Sequence, residues 1–147
     1  MEIAILGLGC FWGPEIKFSK LDGVIKTEVG YCGGHSAKTD YKEVCTGTTN
    51  HAEVVKLDFD PKLISYEKIL EYFFEIHDPT TLNSQGPDFG TQYRSEIFYL
   101  NNQQKNIAEK MIEQENLKLS GKVVTKTSLV KNYCPAEEYH QRYLEKR

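Results

Sequence analysis

The hydrophobic positions of the chain recur with two different spacings, and each spacing predicts one kind of element. Short apolar or alternating runs are typical of strands. They predict five strands, at residues 2–8, 24–31, 51–59, 94–100 and 123–128. Apolar residues three or four positions apart are typical of helices. They predict four helices, at residues 11–20, after a cap at Ser65, from Asn101 or Asn102, and after Pro135.

The order of these elements indicates an α+β fold. It begins with strand, helix, strand, strand, which is the split β-α-β motif of ferredoxin-like proteins. Residues 33–50 and 77–93 have no such periodicity and are rich in Gly, Thr, Asn and Pro. Loops this long in a small protein commonly carry a functional site. Because no repeat or linker-like segment interrupts the pattern, we expect one domain over residues 1–147 with a site built on these loops.

Composition and charge narrow the class of protein. The 147 residues are 39% hydrophobic and 27% charged, with a net charge of -3. That balance gives no basic surface for nucleic acid. The composition is that of a soluble protein, and nothing in the sequence demands more than a monomer. The acidic start of the chain is unlike a signal peptide, and no run approaches the roughly 20 apolar residues of a membrane span. We therefore expect a cytoplasmic protein whose cysteines are reactive or buried thiols rather than structural disulfides.

Cys10 stands where the first predicted strand meets the first predicted helix, in Gly9-Cys10-Phe11-Trp12-Gly13. A thiol at a helix N-terminus lies near free backbone N–H groups, which predicts a pKa lowered toward neutrality and an available thiolate. Phe11 and Trp12 would place two aromatic surfaces beside it, suited to a small apolar group such as a methyl on sulfur. The alternative interpretation is a buried cysteine with the aromatic pair in the core.

Glu53 is the candidate acid. In the strand predicted at 51–59 it shares its parity with Val55, Leu57 and Phe59, so unbroken alternation turns its carboxyl toward the core. Desolvation there would raise its pKa and keep it protonated. The alternative is a surface glutamate at a frayed strand start.

Motifs across nearly the whole chain carry a resemblance to a known family. They are Cys10-Phe-Trp-Gly, Gly30-Tyr-Cys-Gly-Gly34, Gly47-Thr-Thr-Asn-His-Ala-Glu53, Gly86-Pro-Asp-Phe-Gly-Thr-Gln-Tyr-Arg94 and Pro135-Ala-Glu-Glu-Tyr-His-Gln141. In this order they resemble the peptide methionine sulfoxide reductase A (MsrA) family. The resemblance implies a two-layer α/β sandwich with a ferredoxin-like core. It also implies reduction of the S epimer of methionine sulfoxide, free or in proteins, as a repair of oxidative damage.

Sulfoxide reduction needs a nucleophile at sulfur and a proton for the departing oxygen. The resemblance implies that Cys10 is the nucleophile and Glu53 the proton donor. It also implies hydrogen bonds from Tyr41 and Tyr93 to the sulfoxide oxygen. Phe11, Trp12 and Asp88 are then expected to bind substrate. His140 is expected at most to support these residues, without contacting the substrate itself.

Attack by Cys10 would leave a sulfenic acid that another thiol must reduce. Resolving cysteines of the family often lie in a Gly-rich C-terminal tail, which is not seen in this sequence. Cys45, Cys134 and Cys32 remain as candidates, beside direct reduction by an external thiol. The reductant is expected to be thioredoxin, glutaredoxin with glutathione, or dithiothreitol in vitro, with no bound cofactor or metal.

Three rival functions would also use cysteines of this chain. Cys32-x-x-His35 with Cys45 and His51 offers four zinc ligands, although residues 46–50 are not built like a finger. A redox sensor would also use an exposed thiol, but it has no need of Glu53 and two loop tyrosines. A peroxidase would leave the aromatic pair beside Cys10 unexplained. Convergence of an acid, two phenols and Cys10 on one point would favour the reductase.

Overall fold

Six strands pair into one mixed sheet, and the apolar sides of three helices pack against one of its faces. The computed structural model describes residues 1–146. Within that range the strands are β1 (Glu2–Leu8), β2 (Val24–Cys32), β3 (Ala52–Phe59), β4 (Ser84–Gln85), β5 (Asp88–Phe89), β6 (Ser95–Tyr99), β7 (Lys126–Leu129) and β8 (Cys134–Pro135). The α-helices are α1 (Trp12–Ser19), α2 (Tyr41–Cys45), α3 (Tyr66–Glu75) and α4 (Asn102–Lys118), and 3-10 turns span Thr91–Tyr93 and Glu138–His140.

The order of strands in the main sheet is β7-β6-β1-β3-β2-β8. All neighbours are antiparallel except β6 and β7, which run parallel. The β4–β5 hairpin is a separate ribbon that lies within the second irregular stretch. The fold is therefore mixed α/β. β1 and β3 are the two central strands of the sheet, and the site is built where β1 ends and β3 begins.

Alternation along β3 separates the two faces of the sheet. Val55, Leu57 and Phe59 point into the larger apolar cluster, to which α1, α3 and α4 also contribute. Val54 faces the opposite side with Phe98, where irregular segments cover a smaller cluster. A strand that is covered on both faces has a nearly continuous run of buried residues. β3 shows this pattern.

The helix starts follow the predicted capping. The Ser65 hydroxyl accepts the Lys68 N–H at 3.1 Å, and the Asn101 side chain accepts the Gln104 N–H at 2.9 Å. Such caps satisfy amide groups that the first helical turn leaves free, and each contributes about 1 kcal/mol. The predicted beginnings of α3 and α4 are confirmed.

The helix predicted after Pro135 is wrong. Cys134 and Pro135 instead pair with β2, and only the short turn Glu138–His140 follows. The reason lies in Gln141, whose side chain accepts the Val29 N–H and donates to the Val29 carbonyl, both at 2.9 Å. An amide side chain thus continues the edge of β2, and these long-range bonds outweigh local helical preference.

The remaining differences are small. The strand predicted at 123–128 begins later, at Lys126. The two stretches expected to be irregular contain α2 and the β4–β5 hairpin. None of the helices between residues 1 and 146 is both long and apolar enough to cross a membrane.

Candidate active site

Cys10 lies in the turn between β1 and α1. Gly9 makes this turn with a φ of +101°, and a Cβ there would stand 2.7 Å from the Gln85 side chain. Only glycine suits both the backbone angle and this close approach. The Cys10 thiol is partly exposed, and its sulfur accepts a hydrogen bond from the backbone N–H of Trp12, the first residue of α1.

The predicted low pKa of Cys10 is wrong. Burial raises the pKa of this thiol to about 11, and charges on Glu53 and Asp88 raise it further, while the Trp12 N–H lowers it. One amide of a short helix does not offset the desolvation of a thiolate. Cys10 is therefore a protonated thiol at neutral pH, and its proton must leave during the reaction.

Glu53 is buried beside this turn, as its strand parity predicts, with 1% of its surface exposed. One carboxyl oxygen, Oε1, accepts the Phe11 N–H at 3.3 Å. The other, Oε2, is buried and has no hydrogen-bond partner within residues 1–146. Burial raises the pKa of Glu53 to about 8, the nearby Asp88 raises it too, and the Phe11 N–H opposes both. Glu53 is thus a neutral acid at pH 7 with a free oxygen.

Both loop tyrosines reach the same cluster. Tyr41 is the first residue of α2, and Tyr93 is the last residue of a 3-10 turn. Burial raises the pKa of Tyr93 to about 12, and charges on Glu53 and Cys10 add to the effect. The pKa of Tyr41 is raised by burial and then by its hydrogen bond with Cys45. Both phenol hydroxyls therefore stay protonated and can donate hydrogen bonds.

Asp88 closes the cluster from the β4–β5 hairpin. It is half-buried, and its negative charge raises the pKa of Cys10, Glu53 and Tyr93. These three influences require Asp88 to lie on the same side of the molecule as the thiol and the acid. A hydrogen bond from Asp88 to a substrate stays a prediction.

The aromatic pair after Cys10 divides between core and surface. Phe11 is 1% exposed, and its ring lies 5.8 Å from Tyr31 and 5.3 Å from His140 between ring centroids. Phe11 therefore presents no free face, and its contact with a substrate stays a prediction. Trp12 is half-buried, with its ring stacked on Tyr143 at 3.9 Å, and it keeps some exposed surface.

His140 contributes more than its expected place behind the site. Its Nδ1 accepts the indole N–H of Trp12 at 3.1 Å, and its ring lies 4.6 Å from that of Tyr41. Burial lowers the pKa of His140, so the ring is neutral, and acceptance at Nδ1 assigns its proton to Nε2. This histidine joins α1 to α2 across the site.

Two further charged residues hold the site together and were not singled out from the sequence. Glu137 accepts the Tyr31 hydroxyl at 2.8 Å and the Tyr41 N–H at 3.0 Å, which fixes the start of α2. Arg94 forms a buried ion pair with Glu96 at 2.6 Å and donates to the Asn50 carbonyl. Both Glu137 and Arg94 could have been identified from the sequence only by their position inside the motifs shared with the family.

The three other cysteines differ in their relation to Cys10. Cys45 is exposed at the end of α2, and its charge raises the pKa of Cys10. Cys134 is half-buried on β8. Cys32 is 0% exposed and belongs to the smaller cluster on the opposite face of the sheet, so it does not face the site. Among residues 1–146, no three His, Cys, Asp or Glu side chains converge in a way that could hold a metal ion.

Comparison with known proteins gives a consistent result. The family model for peptide methionine sulfoxide reductase matches residues 2–147. The peptide methionine sulfoxide reductase MsrA of Pelagibacter ubique is 84% identical over 147 residues, covering all of both chains. The MsrA of Saccharolobus solfataricus is 51% identical over 99% of this chain and 82% of its own.

Solved structures agree with the sequence relatives. The reduced form of Mxr1 from Saccharomyces cerevisiae has a TM-score of 0.94 at 42% identity, covering 99% of this chain and 85% of its own. Mxr1 in complex with Trx2 has a TM-score of 0.68 at 28% identity, covering 97% of this chain and 84% of its own. The chain therefore belongs to the peptide methionine sulfoxide reductase family and has methionine sulfoxide reductase activity, that of an oxidoreductase.

Proposed function

We propose that Cys10 and Glu53 together reduce the S epimer of methionine sulfoxide, free or within oxidised proteins. The observation that carries this proposal is the buried Oε2 of Glu53, which has no hydrogen-bond partner among residues 1–146 while the acid is neutral at pH 7. A buried polar atom without a hydrogen-bond partner destabilises the folded protein, so such an atom is rare outside functional sites. The sulfoxide oxygen is a strong acceptor and would complete this site.

The proposed reaction transfers one oxygen atom and two electrons. Glu53 protonates the sulfoxide oxygen while the Cys10 sulfur attacks the substrate sulfur, and the thiol proton passes to the Glu53 carboxylate. The oxygen then moves to Cys10 as a hydroxyl group and methionine leaves. Cys10 is thereby oxidised to a sulfenic acid, and the sulfoxide is reduced to the thioether.

The other residues of the cluster would orient the substrate. The protonated phenols of Tyr41 and Tyr93 are proposed to donate hydrogen bonds to the oxygen, where negative charge builds up before proton transfer. The exposed surface of Trp12 would take the methyl group, with Phe11 beneath it. Asp88 would bind at the rim. Fixing oxygen and methyl at two separate points would select one epimer at sulfur.

The reaction requires an external reductant. A sulfenic acid needs thiols for its reduction, and we propose thioredoxin, glutaredoxin with glutathione, or dithiothreitol as the source. The complex of Mxr1 with Trx2 supports a reductant of this kind. No bound cofactor is needed. We further propose that the protein acts as a monomer in the cytoplasm and repairs oxidised proteins.

We also propose that residues 1–147 are one catalytic domain on a ferredoxin-like core. The support is the antiparallel order β6-β1-β3-β2, produced by two β-α-β units whose strands are separated by one intervening strand. The site would then lie where the first such unit turns from β1 into α1.

Separate epimers test the proposal. The purified protein with dithiothreitol should form methionine from a peptide carrying the S sulfoxide and leave the R sulfoxide unreacted. Equal turnover of both epimers would contradict the proposed placement of oxygen and methyl.

A further inference from the structure

Glu15 is a buried acid that the proposed reaction does not use. It lies in the first turn of α1, and 2% of its surface is exposed. A glutamate is seldom buried this deeply unless its carboxyl oxygens have partners. Here Oε1 accepts the backbone N–H of Arg142 at 2.7 Å, and Oε2 accepts the Thr27 hydroxyl at 2.8 Å. Glu15 therefore joins α1 both to β2 and to the segment 140–143.

The bond from Glu15 falls on a strained point of this segment. Arg142 has a φ of +49°, a left-handed conformation that is unfavourable for a residue with a side chain. The hydrogen bond from its N–H to Glu15 stabilises the backbone in this conformation. His140 precedes the turn and Tyr143 follows it, so the turn at Arg142 determines how both side chains stand against α1.

Both of these side chains hold Trp12. The Tyr143 ring stacks on the indole, with centroids 3.9 Å apart and planes 11° from parallel. His140 Nδ1 accepts the indole N–H at 3.1 Å. One contact fixes the face of the indole and the other fixes its edge. Because Gln141 is bonded separately to the Val29 backbone, loss of Glu15 would release the turn without detaching the whole segment.

We propose that Glu15 is a positioning residue for Trp12, an inference that rests on the substrate contact of Trp12 in the proposed function. By holding the turn at Arg142, Glu15 keeps Tyr143 flat against the indole, in the orientation that receives the methyl group of the substrate. Glu15 itself touches neither the substrate nor the reacting atoms. Because the methyl contact forms before the reaction, loss of Glu15 should weaken substrate binding more than it slows the chemical step.

Substitutions at the two ends of these bonds separate positioning from stability. Glu15→Ala removes both hydrogen bonds. Glu15→Gln keeps an oxygen that can accept the Arg142 N–H, and its amide can donate to the Thr27 hydroxyl, so it should restore the wild-type behaviour. Thr27→Val removes only the bond to Oε2 and leaves the bond to Arg142. It is the matched control, which should lower the free energy of unfolding without moving Trp12.

Trp12 is the only tryptophan of the chain, so tryptophan fluorescence reports on it alone. The emission of folded Glu15→Ala should move to longer wavelength, and acrylamide should quench it more, because the indole loses its stacked ring. In single-turnover reduction of S-epimer methionine sulfoxide, the half-saturating substrate concentration should rise about fourfold, the contribution of one buried methyl group, with a limiting rate within about twofold of wild type. Glu15→Gln and Thr27→Val should match the wild type in both measurements.

The outcomes separate this inference from the function beneath it. Wild-type emission and half-saturation in folded Glu15→Ala would overturn the role of Glu15 and leave the reductase intact. Equal changes in Thr27→Val would also overturn it, since a general loss of stability would then account for both. Changed emission with unchanged half-saturation would show that the orientation of Trp12 does not affect substrate binding, which contradicts the proposal. Absence of methionine from the wild type would overturn the proposed function and this inference with it.

Discussion

Replacement of Glu53 by glutamine should separate the catalytic role of this residue from its cost to stability. Glutamine has nearly the shape of the neutral acid and can still accept the Phe11 N–H, but it cannot supply an acidic proton. Loss of general acid catalysis typically slows a reaction by about 10²–10⁴-fold. We expect a loss of this size in single-turnover methionine formation by Glu53→Gln at pH 7.

In contrast to its loss of activity, Glu53→Gln should gain folding stability relative to the wild type, and the size of this gain depends on pH. Burial raises the pKa of Glu53 from 4.5 to about 8, so the unfolded chain releases this proton at lower pH than the folded protein. The folded state therefore loses stability as pH rises from about 4.5 to about 8. At pH 7 the difference of about 2.5 pH units corresponds to about 3 kcal/mol. Glutamine does not titrate, so Glu53→Gln should escape this loss.

Urea unfolding of both proteins measures this difference. The free energy of unfolding of Glu53→Gln relative to wild type should rise by about 1.4 kcal/mol per pH unit between pH 5 and pH 7. Other titrating groups cancel because the two proteins share them. A constant difference across this range would refute the raised pKa of Glu53 and with it the neutral acid.

Three other substitutions test separate parts of the structure. Tyr93→Phe should slow single-turnover methionine formation by about tenfold, as the loss of one hydrogen bond of about 1.4 kcal/mol predicts, and should leave urea unfolding nearly unchanged. Arg94→Met should lower the free energy of unfolding in urea by about 3–5 kcal/mol, because Glu96 would keep a buried charge without its partner. Gly34→Ala should lower the thermal midpoint more than any exposed Gly→Ala change, since a Cβ there would collide with the buried His51 ring.

Local periodicity predicted those parts of the fold whose side chains alternate or repeat. β1, β3, α1 and the start of α3 were predicted within a residue or two because their apolar positions follow a single spacing. Glu53 could be placed by the same reasoning, since its neighbours on β3 set its direction.

The sequence could not predict features that depend on distant contacts. The segment after Pro135 has helical residues, but Gln141 bonds to the Val29 backbone instead. The pKa of Cys10 depends on how deeply the folded chain buries the thiol, which the helix N-terminus alone does not indicate. Glu137 and Arg94 act through partners far along the chain or through backbone carbonyls, and neither pattern nor spacing identifies such bonds.

We propose above that the Cys10 sulfur removes the oxygen from methionine sulfoxide. The most direct test of this step is methionine formation from an S-sulfoxide peptide with dithiothreitol, measured for the wild type and for Cys10→Ser. Circular dichroism should show that both proteins are folded. We predict turnover by the wild type and none above the uncatalysed rate by Cys10→Ser. Comparable turnover by a folded Cys10→Ser variant would contradict the account.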